Sequence, residues 1–348
     1  MSGALPFLLS FLIPIGVVSG ILLGGLWNFL GIGLVFLAHP LLDFLLGQES
    51  IQPRTSGDLK SKVQFKTYSL ILWVYVPVQL GIQYWILSKP ERTPFLSLSW
   101  IGAAWSLGAM AGATGITAAH ELIHRRNRWE RFLGVTLLLS VCFPHYRVEH
   151  VFGHHRHVAT PHDPATARKG ESIYFFWIRS TIMGWLSAWK IENARAAAAK
   201  TFQWHRHRMI HYTLVQSSLI ALIWALWGWK ALVLFFIQSS MAVMLLETVD
   251  YIEHYGLVRR QTAPGRYEPA TDLHSWDSRH RVTNWFLFNL GRHAHHHAQP
   301  FVRYENLQLS RSGHEFEQGY SSMIWLALCP PLWKREMDPK LQQPGDFK

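Results

Sequence analysis

The sequence has 348 residues, of which 49% are hydrophobic and only 16% are charged. Soluble proteins usually carry about a quarter charged residues, so the composition excludes an ordinary soluble protein and a charged, disordered chain. The net charge of +11 would suit nucleic acid, but a membrane protein with a basic cytoplasmic side carries the same excess. Composition therefore predicts a membrane protein whose partners include the lipid bilayer and no nucleic acid.

Apolar segments follow one another from the N-terminus, and six have the length of about 20 residues that crosses a hydrocarbon core. The predicted spans are roughly 5–24, 26–46, 68–87, 96–119, 212–229 and 231–248. We expect no cleaved signal peptide, because no basic residue precedes the first span. The shorter apolar segments Leu133–Phe143 and Phe175–Trp189 predict buried or interfacial helices. The chain is thus predicted to be an all-α, polytopic membrane protein with a single domain over residues 1–348.

Basic residues are distributed unequally between the loops that join these spans. If both termini lie on one side of the membrane, that side receives 30 of the 33 Lys and Arg residues. The positive-inside rule then places both termini in the cytoplasm. Nearly all histidines lie on the same side, so we expect a cytoplasmic, histidine-rich helical cap.

Histidine is the residue type that indicates chemistry, since 19 of the 20 histidines lie at or after His120. Residues three or four apart share a helix face, so such pairs could bind one metal ion. Three clusters and one single histidine supply nine candidate ligands: His120, His124, His150, His154, His155, His254, His293, His296 and His297. Burying this many imidazoles without a partner would cost free energy. One tetrahedral zinc takes four ligands, so nine nitrogen ligands favour two metal ions.

Other assignments of the same residues remain open from the residues alone. The letters HELIH at 120–124 also match the HExxH motif of zinc proteases, which would leave seven clustered histidines unused. Imidazole binds Zn, Cu, Fe and Ni, so the ligand type does not identify the metal. A metal transporter or sensor is a further alternative, although its ligands would be expected along a pore at mid-membrane. The two cysteines, Cys142 and Cys329, are too few for a four-cysteine zinc or iron–sulfur site.

Polar and small residues near the clusters suggest supporting roles. Carboxylates are expected to orient the imidazole N–H groups, and the candidates are Glu121, Glu149, Asp250, Glu253 and Asp277, together with His274. Glu121 and Asp250 could instead pair with nearby arginines. The small residues at 108–115 fit either close helix packing or a substrate channel. The candidate channel residues are Ala113, Thr114, Ile116 and Thr117.

Four blocks of the chain resemble the integral-membrane alkane 1-monooxygenases, which are relatives of xylene monooxygenase and of membrane fatty-acid desaturases. They are HELIHR at 120–125, EHVFGHH at 149–155, DYIEHYGL at 250–257 and LGRHAHHHA at 290–298. The stretches at 157–174 and 273–284 are also similar to this family. Desaturases share the histidine pattern, whereas the EHYGL block and the HSW letters at 274–276 are more particular to the alkane and xylene hydroxylases. The resemblance extends over roughly residues 50–310.

The resemblance implies a non-haem centre of two Fe ions bound by the nine histidines named above. It implies O2-dependent hydroxylation of the terminal methyl of a hydrophobic substrate, a medium-chain n-alkane. The alternatives are alkyl-aromatic methyl hydroxylation and fatty-acyl desaturation or hydroxylation. It also implies a location in the cell inner membrane.

The resemblance further implies an external electron donor, a rubredoxin, with rubredoxin reductase and NAD(P)H upstream. Such donors are acidic, so the arginines at 125, 126, 128 and 131 could steer one, or could anchor lipid headgroups. The family usually has Asp at the position of His295. Successive helix residues differ by about 100°, so we predict that His295 is turned away from the ligand face.

Overall fold

The computed structural model describes residues 3–50, 62–199, 204–310 and 313–341. The helices, in chain order, are α1 (Leu5–Leu23), α2 (Gly25–Leu46), α3 (Lys62–Leu87), α4 (98–123), α5 (Arg128–Leu139), α6 (146–157), α7 (Ile173–Ala198), α8 (Arg208–His254), α9 (Arg281–Phe286), α10 (His293–Ala298), α11 (Tyr320–Ala327) and α12 (Pro330–Met337). Strand β1 (Gln261–Ala263) pairs antiparallel with β2 (Arg266–Tyr267), and β3 (Trp276–Asp277) pairs parallel with β4 (His314–Glu315). The expected all-α character is confirmed apart from these short strands.

Four stretches of the described residues are long and apolar enough to cross a membrane. They are Leu5–Leu23, Gly25–Leu46, Lys66–Leu87 and Arg208–His254. Large apolar side chains on them are more than half exposed, including Leu22, Leu37, Phe44 and Trp224. Such surfaces are unfavourable in water and favourable against lipid tails. The chain is therefore a helical membrane protein.

Helix α8 contains two of the predicted spans, at 212–229 and 231–248, and its backbone is broken at Gly228. Gly228 has φ 75° and ψ −178°, a conformation that only glycine adopts at low cost. Gln216 and Gln238, which lie on opposite sides of Gly228, both contact the 140–142 turn. The chain therefore folds back on itself at Gly228.

Helix α4 contains the predicted span 96–119 and is interrupted by a π-helical turn, Ala111–Ile116. Its small residues allow α8 to approach closely. A Cβ atom at Gly108 would lie 2.6 Å from Cβ of Met241, and one at Gly112 would lie 2.9 Å from Cα of Ala242. These contacts support the packing explanation for the small residues on this face of α4.

The two shorter apolar segments belong to α5 and α7. Helix α5 packs on the end of α4, since a Cβ atom at Gly134 would lie 2.9 Å from Cγ2 of Ile123. Helix α7 buries one face and leaves a stripe of large apolar side chains exposed: Phe175, Ile178, Ile182, Trp185 and Leu186. These side chains lie along one face of the helix.

Candidate metal centre

Four helices bring the nine clustered histidines together at one end of the bundle. The end of α4 supplies His120 and His124, α6 supplies three histidines, the last residue of α8 is His254, and α10 supplies three more. Eight of the nine are buried, and only His155 is partly exposed. His254 lies among the others, so the single histidine belongs to the same cluster.

The nine imidazoles divide into two groups, within each of which the candidate ligand atoms lie within 4.8 Å of one another. The first histidine group contains His120, His124, His150, His155 and His296. The second histidine group contains His154, His254, His293 and His297. Among the described residues no other cluster of this kind occurs. Each group offers enough nitrogen atoms to hold a metal ion, and the number of two metal ions stays a prediction.

The histidines that share a group are not always the three- or four-residue pairs that the sequence predicts. His150 and His154 were expected to share one face, but the turn His150–His154 is π-helical, and the two residues belong to different groups although their rings stack with centroids 5.2 Å apart. Nε2 of His150 instead lies 3.1 Å from Nε2 of His155, and His154 joins the second group. On α10, Nε2 of His293 lies 3.0 Å from Nε2 of His297 in the second group, whereas His296 belongs to the first.

The imidazoles fit a cation in both groups. Nε2 of His120 and Nε2 of His254 are buried without a hydrogen-bond partner in the part of the chain that the structure describes. Burial, reinforced by neighbouring imidazoles, holds the pKa of His296 and His297 well below the usual range. These side chains are therefore neutral, which is the form of histidine that binds a metal. A metal ion would satisfy the unpaired nitrogens.

Residues outside the nine fix the orientation of individual imidazoles. His154 Nδ1 donates to Oδ2 of Asp163 at 2.9 Å, and this oxygen also accepts from Oγ1 of Thr166 at 2.6 Å. His254 Nδ1 donates to the backbone carbonyl of His274 at 3.2 Å. Sequence reasoning missed Asp163 because it lies nine residues after His154. The only indication in the sequence was that Asp163 lies in the stretch 157–174, which resembles the alkane 1-monooxygenases.

The carboxylates named from the sequence occupy different places. Glu253 Oε2 lies 3.2 Å from Nε2 of His293, and Glu253 Oε1 accepts from the Tyr320 hydroxyl at 2.6 Å. Asp277 Oδ1 accepts from the Ala294 amide at 2.8 Å and so holds the start of α10.

Three further carboxylates make no hydrogen bond to an imidazole among the described residues. Glu121 pairs with Arg125, with 2.7 Å between Oε1 and Nη2, as the arginine alternative anticipated. Glu149 and Asp250 are both buried. His274 contacts the centre through its backbone carbonyl, while its own ring accepts from the Thr271 amide at 2.9 Å.

Three cavities that share wall residues lie between the outer surface of the bundle and the first histidine group. The largest, about 500 Å³, lies between α2, α4, α8 and α11 and has a nearly apolar wall. It shares Leu245 and Ile324 with a cavity of about 40 Å³. That cavity shares Thr117 and Leu290 with a third, of about 10 Å³, beside His120 and His296.

The candidate channel residues lie on two sides of α4. Ala113 and Thr117 line the cavity of about 40 Å³, and Thr117 also lines the smallest one. The Thr114 hydroxyl instead contacts the Tyr75 hydroxyl. Ile116 packs in the same apolar cluster as Tyr75. Two of the four residues therefore line cavities near the first histidine group.

Only some of the arginines at 125, 126, 128 and 131 lie on the surface. Arg126 and Arg128 are exposed, whereas Arg125 is buried and Arg131 donates to the backbone carbonyl of Arg125 at 2.9 Å. The accessible positive charge at this place is therefore smaller than the sequence suggests.

Comparison with known proteins agrees with this geometry. Residues 97–326 match the fatty acid desaturase family. The chain is 39% identical to alkane 1-monooxygenase 2 of Pseudomonas aeruginosa over 91% of this chain and 84% of the relative. It is 38% identical to alkane 1-monooxygenase 1 of the same organism, over 91% and 83%. The hydroxylase component XylM of the Pseudomonas putida xylene/toluene monooxygenase is 26% identical over 97% and 91%. The chain therefore belongs to the alkane 1-monooxygenase family of membrane monooxygenases.

Proposed function

We propose that this protein hydroxylates the terminal methyl of a medium-chain n-alkane, with O2 as co-substrate, to give a 1-alkanol. The observation that carries the proposal is the division of nine histidines, eight of them buried, into two groups at one end of a bundle that also contains a large apolar cavity. The relatives named alkane 1-monooxygenase support the substrate class. The reaction consumes one alkane, one O2, two electrons and two protons, and it yields one alcohol and one water.

Two Fe ions are the proposed cofactors, one in each histidine group. When bound, they supply the activation of O2, which no amino-acid side chain provides. The residues proposed as ligands are the nine histidines of the two groups. The protein's own contribution is to fix the imidazoles, through Asp163 for His154 and the His274 carbonyl for His254, and to exclude water by burial.

The three connected cavities are proposed as the route of the alkane. A chain dissolved in the bilayer would enter the large cavity, whose wall includes Phe36, Trp105 and Trp325. Its terminal methyl would pass Ala113 and Thr117 to reach the space beside His120 and His296. An apolar wall binds a hydrocarbon because it buries the apolar surface of the hydrocarbon away from water, and this needs no polar group.

The proposed topology has six spans, with both termini and the metal centre on the cytoplasmic side of the inner membrane. The charge distribution supports it, since 30 of 33 basic residues fall on that side. We also propose a rubredoxin as the electron donor, with rubredoxin reductase and NAD(P)H upstream. The chain has only two cysteines and so cannot build an iron–sulfur relay of its own.

Product analysis tests the proposed reaction. Purified protein with O2, rubredoxin, rubredoxin reductase and NADH should convert octane to 1-octanol, and omission of rubredoxin should stop turnover. Parallel reactions with a xylene and with a fatty-acyl substrate separate the alternatives. Benzylic alcohol as the main product would favour the xylene-type reaction, for which the similarity to XylM is the supporting observation. A new double bond would indicate a desaturase.

Replacement of Asp163 by Ala is expected to weaken metal binding in the second histidine group by about 10- to 100-fold, because His154 loses the acceptor that orients it. Titration of the purified protein with Co²⁺ against a competing chelator measures this change. The control Thr166→Val removes the Thr166 hydrogen bond to the same carboxylate, together with the hydrogen bond that the Thr166 hydroxyl accepts from the Ala159 amide, and should bind metal close to normally. Unchanged affinity in Asp163→Ala would show that His154 is oriented without it.

A further inference from the structure

Four glutamines from the apolar helices converge on the turn that follows α5. Gln79 and Gln83 belong to α3, and Gln216 and Gln238 belong to the two arms of α8. Gln79, Gln83 and Gln238 are at most 4% exposed. A buried amide costs free energy unless it hydrogen bonds. Neither the metal centre nor the substrate path uses these side chains.

The glutamines donate hydrogen bonds at the end of α5, where backbone amides alone do not satisfy every carbonyl group. The last carbonyls of any α-helix lack partners within the helix. At the end of α5, the Ser140 hydroxyl donates to the Leu137 carbonyl at 2.7 Å, and the Phe143 amide donates to the Leu138 carbonyl at 2.9 Å. The turn then reverses sharply at Cys142, which has φ +56°.

Glutamine side chains provide further hydrogen bonds to Ser140. Its carbonyl accepts from Nε2 of Gln238 at 2.9 Å and from Nε2 of Gln83 at 3.3 Å. Its hydroxyl also accepts from Nε2 of Gln79 at 3.1 Å. Gly115 of α4 is needed beside Gln79, because a Cβ atom there would collide with Oε1 of this glutamine. Three amide groups thus converge on a single residue of the turn.

The turn lies deep in the proposed membrane region. Gln79 and Gln238 are within two residues of the midpoints of the proposed spans 68–87 and 231–248. Helix α5 has 12 residues, so it rises about 18 Å from Arg128, more than half of a hydrocarbon core of about 30 Å. Irregular backbone at this depth is tolerated only where protein groups satisfy it.

We infer that residues 128–157 form a re-entrant hairpin, entering the membrane from the histidine side as α5 and returning as α6. Gln83 and Gln238 are positioning residues that hold its turn. Helix α6 begins six residues after Ser140 and carries His150 and His155 to the first histidine group and His154 to the second. The inference rests on the proposed topology and metal centre, and it assigns the glutamines a role in aiming three ligands.

The positioning role is tested with the double variant Gln83→Leu/Gln238→Leu, which keeps side-chain volume and removes both donors. Co²⁺ titration of the purified protein should show about 10-fold weaker binding in both groups, because a buried carbonyl is left unpaired and α6 shifts. The visible spectrum of the Co²⁺ protein should also change. The protein should remain folded, with a thermal unfolding midpoint a few degrees below that of the control Gln216→Leu, because the unpaired carbonyl also costs stability. The control removes only a contact at 3.2 Å to the Cys142 thiol, a weak acceptor.

Wild-type affinity and spectrum in the double variant would overturn the positioning role. If the double variant does not accumulate, Gln238→Leu alone decides, with about 3-fold weaker binding expected and no change contradicting the role. A wild-type protein that binds two metal ions but does not hydroxylate alkanes would overturn the proposed function and leave this inference intact.

Cys142 reports the depth of the turn. In a Cys329→Ser background, a charged thiol reagent should leave Cys142 unmodified from either side of the membrane, whereas the same reagent should modify it once the protein is denatured in detergent. The double variant should become reactive to the charged reagent, because a displaced turn admits water. Fast modification of Cys142 by the charged reagent in the otherwise unaltered chain would place the turn at the surface and overturn the re-entrant hairpin.

Discussion

Replacement of His296 by Ala is expected to remove the metal of the first histidine group and to lower alkane hydroxylation by about 100-fold or more. His296 Nε2 lies 3.1 Å from Nε2 of His155, and its ring centroid lies 4.5 Å from that of His120. Loss of this imidazole leaves a gap in the middle of the first group. Iron analysis should give about one Fe per chain, and octane turnover should fall with it.

The neighbouring residue provides the control for this experiment. His295 is partly exposed and belongs to neither histidine group. His295→Asp should therefore keep both metal ions and much of the activity. If His295→Asp loses metal as completely as His296→Ala, the placement of side chains on α10 is incorrect, and the two groups need a different set of ligands.

Replacement of Ala113 by Phe is expected to lower octane hydroxylation by at least about 10-fold while leaving both metal ions in place. Ala113 lines the cavity of about 40 Å³, which shares wall residues both with the large cavity and with the space beside His120. The benzyl group of the Phe side chain is larger than this cavity, so it would block the proposed route of the substrate completely. Initial rates and iron content, measured on the same preparation, separate blocked access from lost metal.

The matched control places the same side chain in the wide part of the route. Leu37 lines the large cavity and is 71% exposed, so Leu37→Phe should retain octane turnover within about 2-fold. Full activity of Ala113→Phe with octane would mean that the substrate reaches the metals by another path.

Much of the fold could be predicted because lipid imposes a simple rule on sequence. Spans of about 20 apolar residues can be recognised in the sequence alone. Helices α1 and α2 begin and end within one residue of the predicted limits. The break at Gly228 was implied by the separation of two apolar segments. The hydrogen bonds that hold the 140–142 turn could not be predicted, because they come from glutamines on helices far away in sequence.

The candidate site was predictable as a set of residues but not as a geometry. Histidine spacing identified the imidazoles, yet it assumed α-helical faces. The π-helical turn at 150–154 instead places His150 and His154 in different groups, because the hydrogen bonds of a π-helix join residues five apart rather than four. The partners of the imidazoles were harder to find. Asp163 is distant in sequence from most ligands, and the His274 contact is made by a backbone carbonyl, which carries no residue-type signal.

Metal content and the origin of the product oxygen, measured on one preparation, test the central claim most directly. The purified protein, loaded anaerobically with Fe²⁺, reduced and mixed with octane and ¹⁸O2, should contain two Fe per chain and release 1-octanol that carries ¹⁸O. His154→Ala should contain fewer irons and release no labelled alcohol. Labelled 1-octanol from protein that holds no iron, or 1-octanol whose oxygen comes from water, would contradict a histidine-bound two-iron hydroxylase.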